Sequence, residues 1–438
     1  MNQKTIVLSI DSLVGEDLDR MKSMSNFSRL FQNAARVNAV HGIYPSVTYP
    51  AHVSIMTGCR PGKPGVFTND AMSLTGGPVR WHYFSKVIQV EDIYAAAKRA
   101  GCTTASVFWP VTGGNPNIDW LLNEYCFDGV PIGDVENAYA RMGANEETLQ
   151  IVRENQELLP WGRENAHGQF RVKDEFDDFL MACACGMIRR FQPDLMLIHN
   201  CLIDTLRHGC GVFNDAVTFG LAQEDFWLGD LIGAMEDAGT LENTNFIVLS
   251  DHGQMNYTRR NHINVLLRRE GFIDVDGEER ITDWRAFAQA NGMSSVVVMK
   301  DPEDRETYER LGDLLCGLAD EGVWGFTKVY TEAETREKYG TYGNFAYMLE
   351  TDGFTAFGEK WTGPYSVINQ TDYHWSKGSH GYEPEKGPQP VFVASGPAFR
   401  PGAILERAEL IDEAPTIAAI FGQELPQAEG RCLHELLR

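Results

Sequence analysis

Carboxylate and imidazole side chains follow short apolar segments of this 438-residue chain. Asp11 comes directly after the apolar run at 5–10, and Asp251 and His252 follow the run at 245–250. Such runs predict strands buried on both faces, and the carboxyl ends of parallel strands meet at one edge of a sheet. Carboxylates and imidazoles brought together there are ligands that a zinc-like ion prefers. The candidate metal ligands are Asp11, Asp204, His208, Asp251, His252 and His380.

Each candidate ligand also has a simpler interpretation. An Asp at a strand end is often a helix cap or a turn residue, and taken alone Asp11 fits that role better. Asp204 and His208 are four residues apart, a spacing that an exposed pair on a helix shares. The Asp-His-Gly segment at 251–253 can be a turn, and His380 can be solvated. The metal interpretation depends on the conjunction of the four segments.

Thr48 is the candidate nucleophile. Pro45 and Pro50 bracket a rigid turn, and the pattern predicts a helix that begins near Pro50 or Ala51. A hydroxyl at a helix N-terminus lies beside free backbone N–H groups and the positive end of the helix dipole, where a phosphate binds readily. The hydroxyl needs a metal ion or a base to become a nucleophile. The simpler interpretation of Thr48 is an N-cap, which is compatible with catalysis.

The elements that position these residues alternate between strand and helix patterns. Strands are predicted at 5–10, 103–108, 195–199, 245–250 and 391–394. Helices are predicted at 27–36, 93–100, 175–191, 215–238 and 415–421. This alternation predicts an α/β fold with a mainly parallel central sheet and helices on both faces. In such a sheet, ligands bind at the carboxyl ends of the strands.

One stretch fits this core less well, because it has strand and helix patterns of its own. Strands are predicted at 294–299, 326–330 and 345–351, and a helix at 303–320. We therefore predict a small α/β cap subdomain at 263–375, inserted into a core formed by 1–262 and 376–438. Residues 113–174 are rich in Gly, Asn, Pro and charge, and are predicted to form long loops with short helices.

The charge balance excludes some partners. Lys and Arg number 38 and Asp and Glu 61, so the formal net charge is −23. Such a surface repels polyanions, which argues against a nucleic acid polymer or an anionic membrane as partner. No apolar stretch is long enough for a membrane-spanning helix, and the N-terminal segment lacks the pattern of a secretory signal. We expect a cytoplasmic protein; the sequence leaves open whether it forms a homo-oligomer.

Nine cysteines, an odd number without a CxxC pair, favour reduced thiols over a disulfide framework. Cys201 and Cys210 flank Asp204 and His208. Inert thiols are the simpler interpretation of these cysteines, and a structural metal site is the alternative. His199, the last residue of a predicted strand, has no clear partner in the sequence.

Taken together, the motifs resemble the alkaline phosphatase superfamily and, within it, the nucleotide pyrophosphatase/phosphodiesterase family. The matching pattern spans residues 5–382. Its parts are Asp11, Thr48-Tyr49-Pro50-x-His52, Asn69, Asp204-x-x-x-His208, Asp251-His252-Gly253 and His380-Gly381. The resemblance implies an alkaline phosphatase-like core with two zinc ions, although the sequence leaves open whether Mn²⁺ takes their place.

The resemblance also implies roles for the metal ligands, Thr48, Asn69 and Tyr49. One zinc ion would be held by Asp204, His208 and His380. The other would be held by Asp11, Asp251, His252 and the Thr48 oxygen. Asn69 would donate an amide N–H to a phosphoryl oxygen, and Tyr49 would line the pocket for the ester group.

One feature of this chain departs from the family's motif, and another separates it from the phosphomonoesterases of the superfamily. Pro64 stands where the family often has a His after the Thr-Gly turn. Phosphomonoesterases of the superfamily tend to use a Ser nucleophile and a nearby Arg, whereas this chain has Thr48, and Arg60 lies beyond the turn. The departure at Pro64 bears on the local loop and on the preference for a leaving group. The Thr nucleophile and the position of Arg60 favour diester over monoester chemistry.

The predicted function is therefore hydrolysis of a small phosphodiester or pyrophosphate, with a nucleotide-like substrate and a covalent phospho-Thr48 intermediate. A phosphonate hydrolase acting on a phosphonoacetate-like substrate, or a phosphomonoesterase, is the alternative that uses the same site. A protein that binds metal and a phospholigand without turnover is a third interpretation, although the intact nucleophile argues against it.

Overall fold

The computed structural model describes residues 3–75, 80–125, 134–159, 176–369 and 377–438. Its α-helices are α1 (Gly15–Met21), α2 (Ser25–Phe31), α3 (Thr48–Thr57), α4 (Ile93–Arg99), α5 (Val135–Met142), α6 (Glu146–Asn155), α7 (Phe176–Phe191), α8 (Leu202–Cys210), α9 (Asp215–Asp237), α10 (Ile263–Arg269), α11 (Arg305–Glu321), α12 (Glu332–Tyr339) and α13 (Glu413–Ile420).

The strands of the first half are β1 (Lys4–Ile10), β2 (Ala35–Val37), β3 (Val40–His41), β4 (Asp70–Ala71), β5 (Arg80–Trp81), β6 (Thr104–Val107), β7 (Trp120–Leu122), β8 (Leu195–Asn200), β9 (Thr244–Leu249), β10 (Met255–Tyr257) and β11 (Arg259–His262). The later strands are β12 (Ile273–Val275), β13 (Ile281–Trp284), β14 (Ala286–Asn291), β15 (Ser294–Met299), β16 (Phe326–Thr331), β17 (Tyr347–Thr351), β18 (Thr355–Gly358), β19 (Ser366–Ile368), β20 (Lys377–Ser379), β21 (Phe392–Ser395), β22 (Ile404–Leu405) and β23 (Ala408–Glu409).

The central sheet has eight strands in the order β22-β2-β21-β9-β1-β8-β6-β7. The neighbours from β9 to β7 run parallel, and β21 is antiparallel to both β9 and β2. Alternate residues of β1 enter different cores: Ile6 and Leu8 lie in one and Val7 in the other. A sheet buried on both faces explains the continuous apolar runs. The predicted α/β fold with a mainly parallel sheet is confirmed.

The helix predicted at 27–36 is wrong in its second half. Helix α2 ends at Phe31, and β2 (Ala35–Val37) follows. Ala35 and Val37 are buried and pair with β21, so sheet pairing outweighs the local helix pattern. The helix predicted at 415–421 begins two residues earlier, at Glu413.

A second, antiparallel sheet lies in the segment predicted to be a cap. Its order is β14-β15-β17-β16, and side chains of α11 pack against it in a separate apolar core. The predicted boundary between 375 and 376 lies outside the described residues, and the division into two subdomains stays a prediction. None of the helices in the described part of the chain combines the length and apolar character needed to cross a bilayer.

Candidate active site

Three adjacent strands of the central sheet deliver the predicted carboxylates to one edge. Strand β1 lies between β9 and β8 and runs parallel to both. Asp11 follows β1, and Asp251 lies two residues after the end of β9. Asp204 lies in the first turn of α8, which begins just after β8. Because the three strands end together, their carboxylates are brought into one buried site.

One group of candidate ligands consists of Asp204, His208 and His380, whose ligand atoms all lie within 4.8 Å of one another. The Nε2 atoms of His208 and His380 lie 3.2 and 3.9 Å from Asp204 Oδ1. The Nδ1 atom of His208 lies 2.9 Å from the Gly378 carbonyl oxygen, and that of His380 lies 3.0 Å from the Ser46 carbonyl oxygen. A metal-binding His has this arrangement, because the Nδ1–H bond leaves the Nε2 lone pair for the ion.

A second group consists of Asp11, Asp251 and His252. His252 Nε2 lies 3.1 Å from Asp251 Oδ2 and 3.6 Å from Asp11 Oδ1. The other Asp251 oxygen accepts the Ser12 backbone N–H at 3.1 Å. The rings of His252 and His380 stack with centroids 3.9 Å apart, so the two groups are neighbours.

The electrostatics of the buried site fit divalent cations. Burial raises the pKa of the Asp251 carboxyl to about 7, and the Asp204 carboxylate adds to the shift. Burial also lowers the pKa of His252 well below its usual range, with His380 as a further cause. The neutral imidazole is the form that binds a metal, and a cation among the carboxylates restores their ionised form. The donor set of Asp and His atoms suits zinc.

Thr48 is the first residue of α3, so the helix begins two residues before Pro50 rather than at Pro50 or Ala51. Pro50 fits the first turn because a proline needs no N–H partner there. The N-cap residue is Val47, whose side chain makes no capping hydrogen bond. The Thr48 hydroxyl instead lies 3.3 Å from His252 Nε2, beside the second group. The interpretation of Thr48 as an N-cap is therefore wrong.

Asn69 and Tyr49 lie next to Thr48. Asn69 Oδ1 accepts the Tyr49 backbone N–H at 2.9 Å, which leaves the two N–H bonds of the Asn69 amide as donors. The Tyr49 ring is buried, with its centroid 5.2 Å from that of Trp81, and the indole of Trp81 is partly exposed. The predicted roles of Asn69 and Tyr49 toward a substrate stay predictions.

Two further histidines lie in the site, and the sequence pattern assigns no role to either. His52 Nδ1 donates to the Thr48 carbonyl at 2.8 Å, and its Nε2 accepts from Ser9 Oγ at 2.9 Å. His199 Nε2 lies 3.3 Å from Asp11 Oδ2. The signal for His199 was its place at the end of a predicted strand of the parallel sheet.

A side-chain amide was missed as well. Gln254 Nε2 donates to Asp204 Oδ1 at 2.6 Å and so orients that carboxylate. Gln254 follows the Asp-His-Gly segment in the loop between β9 and β10, and nothing in its sequence position distinguishes it from an ordinary polar loop residue.

Comparison with known proteins decides the family. A family model described as type I phosphodiesterase / nucleotide pyrophosphatase matches residues 5–383. The chain belongs to this family. The resemblance predicted from the motifs is therefore confirmed over most of the chain.

Several members of the phosphodiesterase family can be compared directly. An ectonucleotide pyrophosphatase/phosphodiesterase of Caenorhabditis elegans is 28% identical over 277 residues, which are 62% of this chain and 28% of that protein. Human family member 5 is 20% identical over 430 residues, 96% of this chain and 74% of the human one. This chain thus spans little more than a quarter of the worm protein's length.

Solved structures show the same fold. Murine ectonucleotide pyrophosphatase/phosphodiesterase 5 superposes with a TM-score of 0.67 at 20% identity, and the match covers 100% of both chains. An inactive variant of that murine protein, solved in complex with AMP, superposes equally well, with 19% identity and full coverage of both chains.

Proposed function

We propose that this phosphodiesterase family member is a two-zinc hydrolase that cleaves a small phosphodiester or pyrophosphate bond in a nucleotide-like substrate through a phospho-Thr48 intermediate. The observation that carries the proposal is the place of the Thr48 hydroxyl. It lies at the start of α3, 3.3 Å from His252, where two neighbouring groups of Asp and His side chains meet. Membership of the family supports the reaction type.

The local charge explains how an acidic protein binds an anionic ester. Asp11, Asp204 and Asp251 contribute −3, and two Zn²⁺ would add +4, which gives 4 − 3 = +1. When bound, such a pair of ions stabilises the charge on the attacking and leaving oxygens of an in-line displacement. The overall charge of −23 therefore does not prevent phosphate binding at this place.

The chain's own residues then carry out two displacements. The Thr48 oxygen forms a bond to phosphorus as the leaving alcohol or phosphate departs. Water then attacks phosphorus from the opposite side and releases Thr48. The Asn69 amide donates to a phosphoryl oxygen while its Oδ1 stays on the Tyr49 N–H. Because each step inverts phosphorus, the complete reaction retains configuration.

The surroundings of Arg207 support a diester over a monoester. The buried Arg207 pairs with Asp17 at 2.6 Å. Its guanidinium group is thus committed to a carboxylate of the protein. A doubly charged phosphate would gain most from a free guanidinium, whereas a diester carries a single charge.

A nucleotide-like substrate is proposed on two grounds. The murine structure in complex with AMP concerns a protein with the same fold. In this chain the partly exposed Trp81 indole lies against Tyr49, next to the proposed nucleophile, and offers an aromatic surface to a base.

Four substrates assayed side by side after zinc loading test the proposal: p-nitrophenyl phosphate, bis(p-nitrophenyl) phosphate, a nucleotide 5′-ester and phosphonoacetate. We expect the bis-ester and the nucleotide ester to be hydrolysed with the highest kcat/KM. Activity confined to the monoester or to phosphonoacetate would contradict the diesterase assignment. Zinc bound without turnover of any substrate would favour a binding protein instead.

A further inference from the structure

A third group of metal-binding atoms adjoins the candidate active site. Asp11, His199 and Cys201 each offer one ligand atom within 4.8 Å of the others. His199 Nε2 lies 3.3 Å from Asp11 Oδ2, and Cys201 Sγ lies 3.8 Å from Nε2 and 4.0 Å from Nδ1 of the same ring. Asp11 and His199 are buried, and Cys201 is partly exposed. Ligand atoms around a tetrahedral zinc ion are separated by about 3.3–3.8 Å, given Zn–N and Zn–O bonds of about 2.0 Å and Zn–S bonds of about 2.3 Å.

The surroundings of His199 call for a cation. Its Nδ1 lies 3.2 Å from the Phe108 carbonyl oxygen, and its Nε2 faces the Asp11 carboxylate. A neutral imidazole has one N–H and can therefore donate to only one of these two acceptors. The other ring nitrogen then points a lone pair at an oxygen lone pair. Either a second proton or a metal ion between His199 and Asp11 removes this repulsion.

The same two-sided arrangement occurs at two of the predicted zinc ligands. In His208 and His380, Nδ1 lies on a backbone carbonyl and Nε2 faces a carboxylate, that of Asp204. His199 repeats this pattern with Phe108 and Asp11. Backbone carbonyls on the remote ring nitrogen are typical of metal-binding histidines, because they fix the tautomer that presents Nε2 to the ion.

We propose that Asp11, His199 and Cys201 bind a third metal ion, a zinc-class transition metal, and that Asp11 bridges it to the second group. The two carboxylate oxygens face different histidines: Oδ1 lies 3.6 Å from His252 Nε2 and Oδ2 lies 3.3 Å from His199 Nε2. Cys201 binds as a thiolate and releases its proton to solvent. A sulfur ligand selects zinc, cobalt or iron over magnesium and calcium.

A buried carboxylate behind Cys201 favours a cation at this place. The Cys201 backbone N–H donates to the Asp177 carboxylate at 3.2 Å, and Asp177 is buried. A nearby divalent ion offsets part of its negative charge.

Cobalt provides a test that is independent of hydrolysis. The other two groups offer only nitrogen and oxygen atoms, so a thiolate-to-cobalt charge-transfer band in the near ultraviolet reports the third group. Protein stripped with a chelator is titrated with Co²⁺ alone. We expect that band to grow and saturate, and metal analysis to give one more equivalent for the wild type than for Cys201→Ser. Cys201→Ser should lose the band.

Cys432→Ser is the matched control. Cys432 Sγ also lies near a histidine, 3.5 Å from His434 Nδ1, but Cys432 belongs to none of the three ligand groups. It should keep the band and the full metal content. Co²⁺ should also protect Cys201 of the wild type from a maleimide, as mapped by peptide mass, a readout that needs no variant.

Cobalt bound without a thiolate band, or a band that survives Cys201→Ser, would overturn the proposal. A second proton on His199 would then satisfy the Asp11 contact. Loss of hydrolysis with the band intact would instead count against the proposed activity and leave the third site standing.

Discussion

Asn69 connects the start of helix α3 to the place where a phosphoryl oxygen would bind. Its Oδ1 accepts the Tyr49 N–H at 2.9 Å, and this bond fixes which end of the amide faces the backbone. The remaining N–H bonds lie on the side away from Tyr49, so that the donor is oriented before a substrate arrives. Donors held in advance contribute more to transition-state stabilisation than donors that must reorganise.

Asn69→Asp separates the two functions of this side chain. The carboxylate still accepts the Tyr49 N–H, but it replaces the donor by a negative charge. We expect kcat/KM for a diester to fall by about 10²–10³-fold or more, with metal content and far-ultraviolet circular dichroism unchanged. Asn69→Ala loses both the acceptor and the donor. Its kcat/KM should fall by no more than that of Asn69→Asp, because it adds no negative charge. An Asp variant within about threefold of the wild type would count against the donor role.

Single residues show what the sequence could and could not predict. Asp11 and Asp251 could be predicted as neighbours because each follows an apolar strand, and parallel strands share an edge. The contact of His199 with Asp11 depends on the register that places Ser9 opposite His199, which no sequence pattern specifies. Gln254 depends on how a turn folds back onto Asp204.

At the scale of elements, one carboxylate ties the loop that carries His380 to the second sheet. Glu383 accepts hydrogen bonds from Lys328 at 2.7 Å and from Tyr339 at 2.6 Å, and also from Tyr330. Lys328 and Tyr330 lie on β16, and Tyr339 ends α12. Because Glu383 is only three residues after His380, these contacts restrain the loop that supplies a candidate metal ligand.

The pH dependence of stability tests this connection. Burial raises the pKa of Glu383, but hydrogen bonds from Lys328 and the tyrosines outweigh it and lower the pKa from 4.5 to about 2. The stabilisation is therefore present above pH 4.5 and is lost as pH falls toward 2. We expect Glu383→Gln to cost about 1–3 kcal/mol at neutral pH and to flatten the acid side of the profile, as measured by urea unfolding.

Glu385→Gln is the control for this prediction. Glu385 is exposed, and its one ion pair is a 3.8 Å contact between its Oε1 and His41 Nε2 among the described residues. It should leave both the stability and its acid dependence near those of the wild type. Equal acid slopes in the wild type and Glu383→Gln would contradict the role given to Glu383.

The elements could be predicted where local and tertiary preferences agree. Strands β1, β8 and β9 each contain a continuous apolar run, and their predicted ends agree with the structure to within about one residue. The second half of the helix predicted at 27–36 failed because Ala35 and Arg36 continue the helix pattern locally but lie in β2, which pairs with β21. The partners of Glu383 are 44–55 residues away in sequence and could not be found from spacing.

In the molecule as a whole, the excess of acidic residues includes carboxylates that are buried together. Asp11, Asp204 and Asp251 lie together in the interior although the chain already carries a net charge of −23. Without cations, this arrangement costs free energy of folding, because buried like charges repel. Cations should therefore contribute to the stability of the fold as well as to the site. The cytoplasmic location expected from the sequence stays a prediction.

Metal removal should lower the melting temperature, and more so at pH 8 than at pH 6. Burial raises the pKa of Asp251 to about 7, so in the metal-free protein a proton stabilises the site at low pH and is lost as pH rises through 7. At saturating zinc, metal binding should stabilise the folded protein against unfolding by about 3–4 kcal/mol. Calorimetry with and without a chelator measures the difference, and zinc returned in excess should restore it. A shift of equal size at both pH values would contradict this account.

If Thr48 is the nucleophile of a metal-dependent phosphodiesterase, its replacement should abolish hydrolysis of bis(p-nitrophenyl) phosphate, measured as kcat/KM. Thr48→Ala is compared with Thr57→Ala, a buried threonine at the other end of the same helix. We predict that Thr48→Ala loses at least about a thousandfold in kcat/KM with its metal content unchanged, whereas Thr57→Ala stays close to the wild type. A Thr48→Ala variant that binds metal and hydrolyses the diester within about tenfold of the wild-type rate would contradict the account.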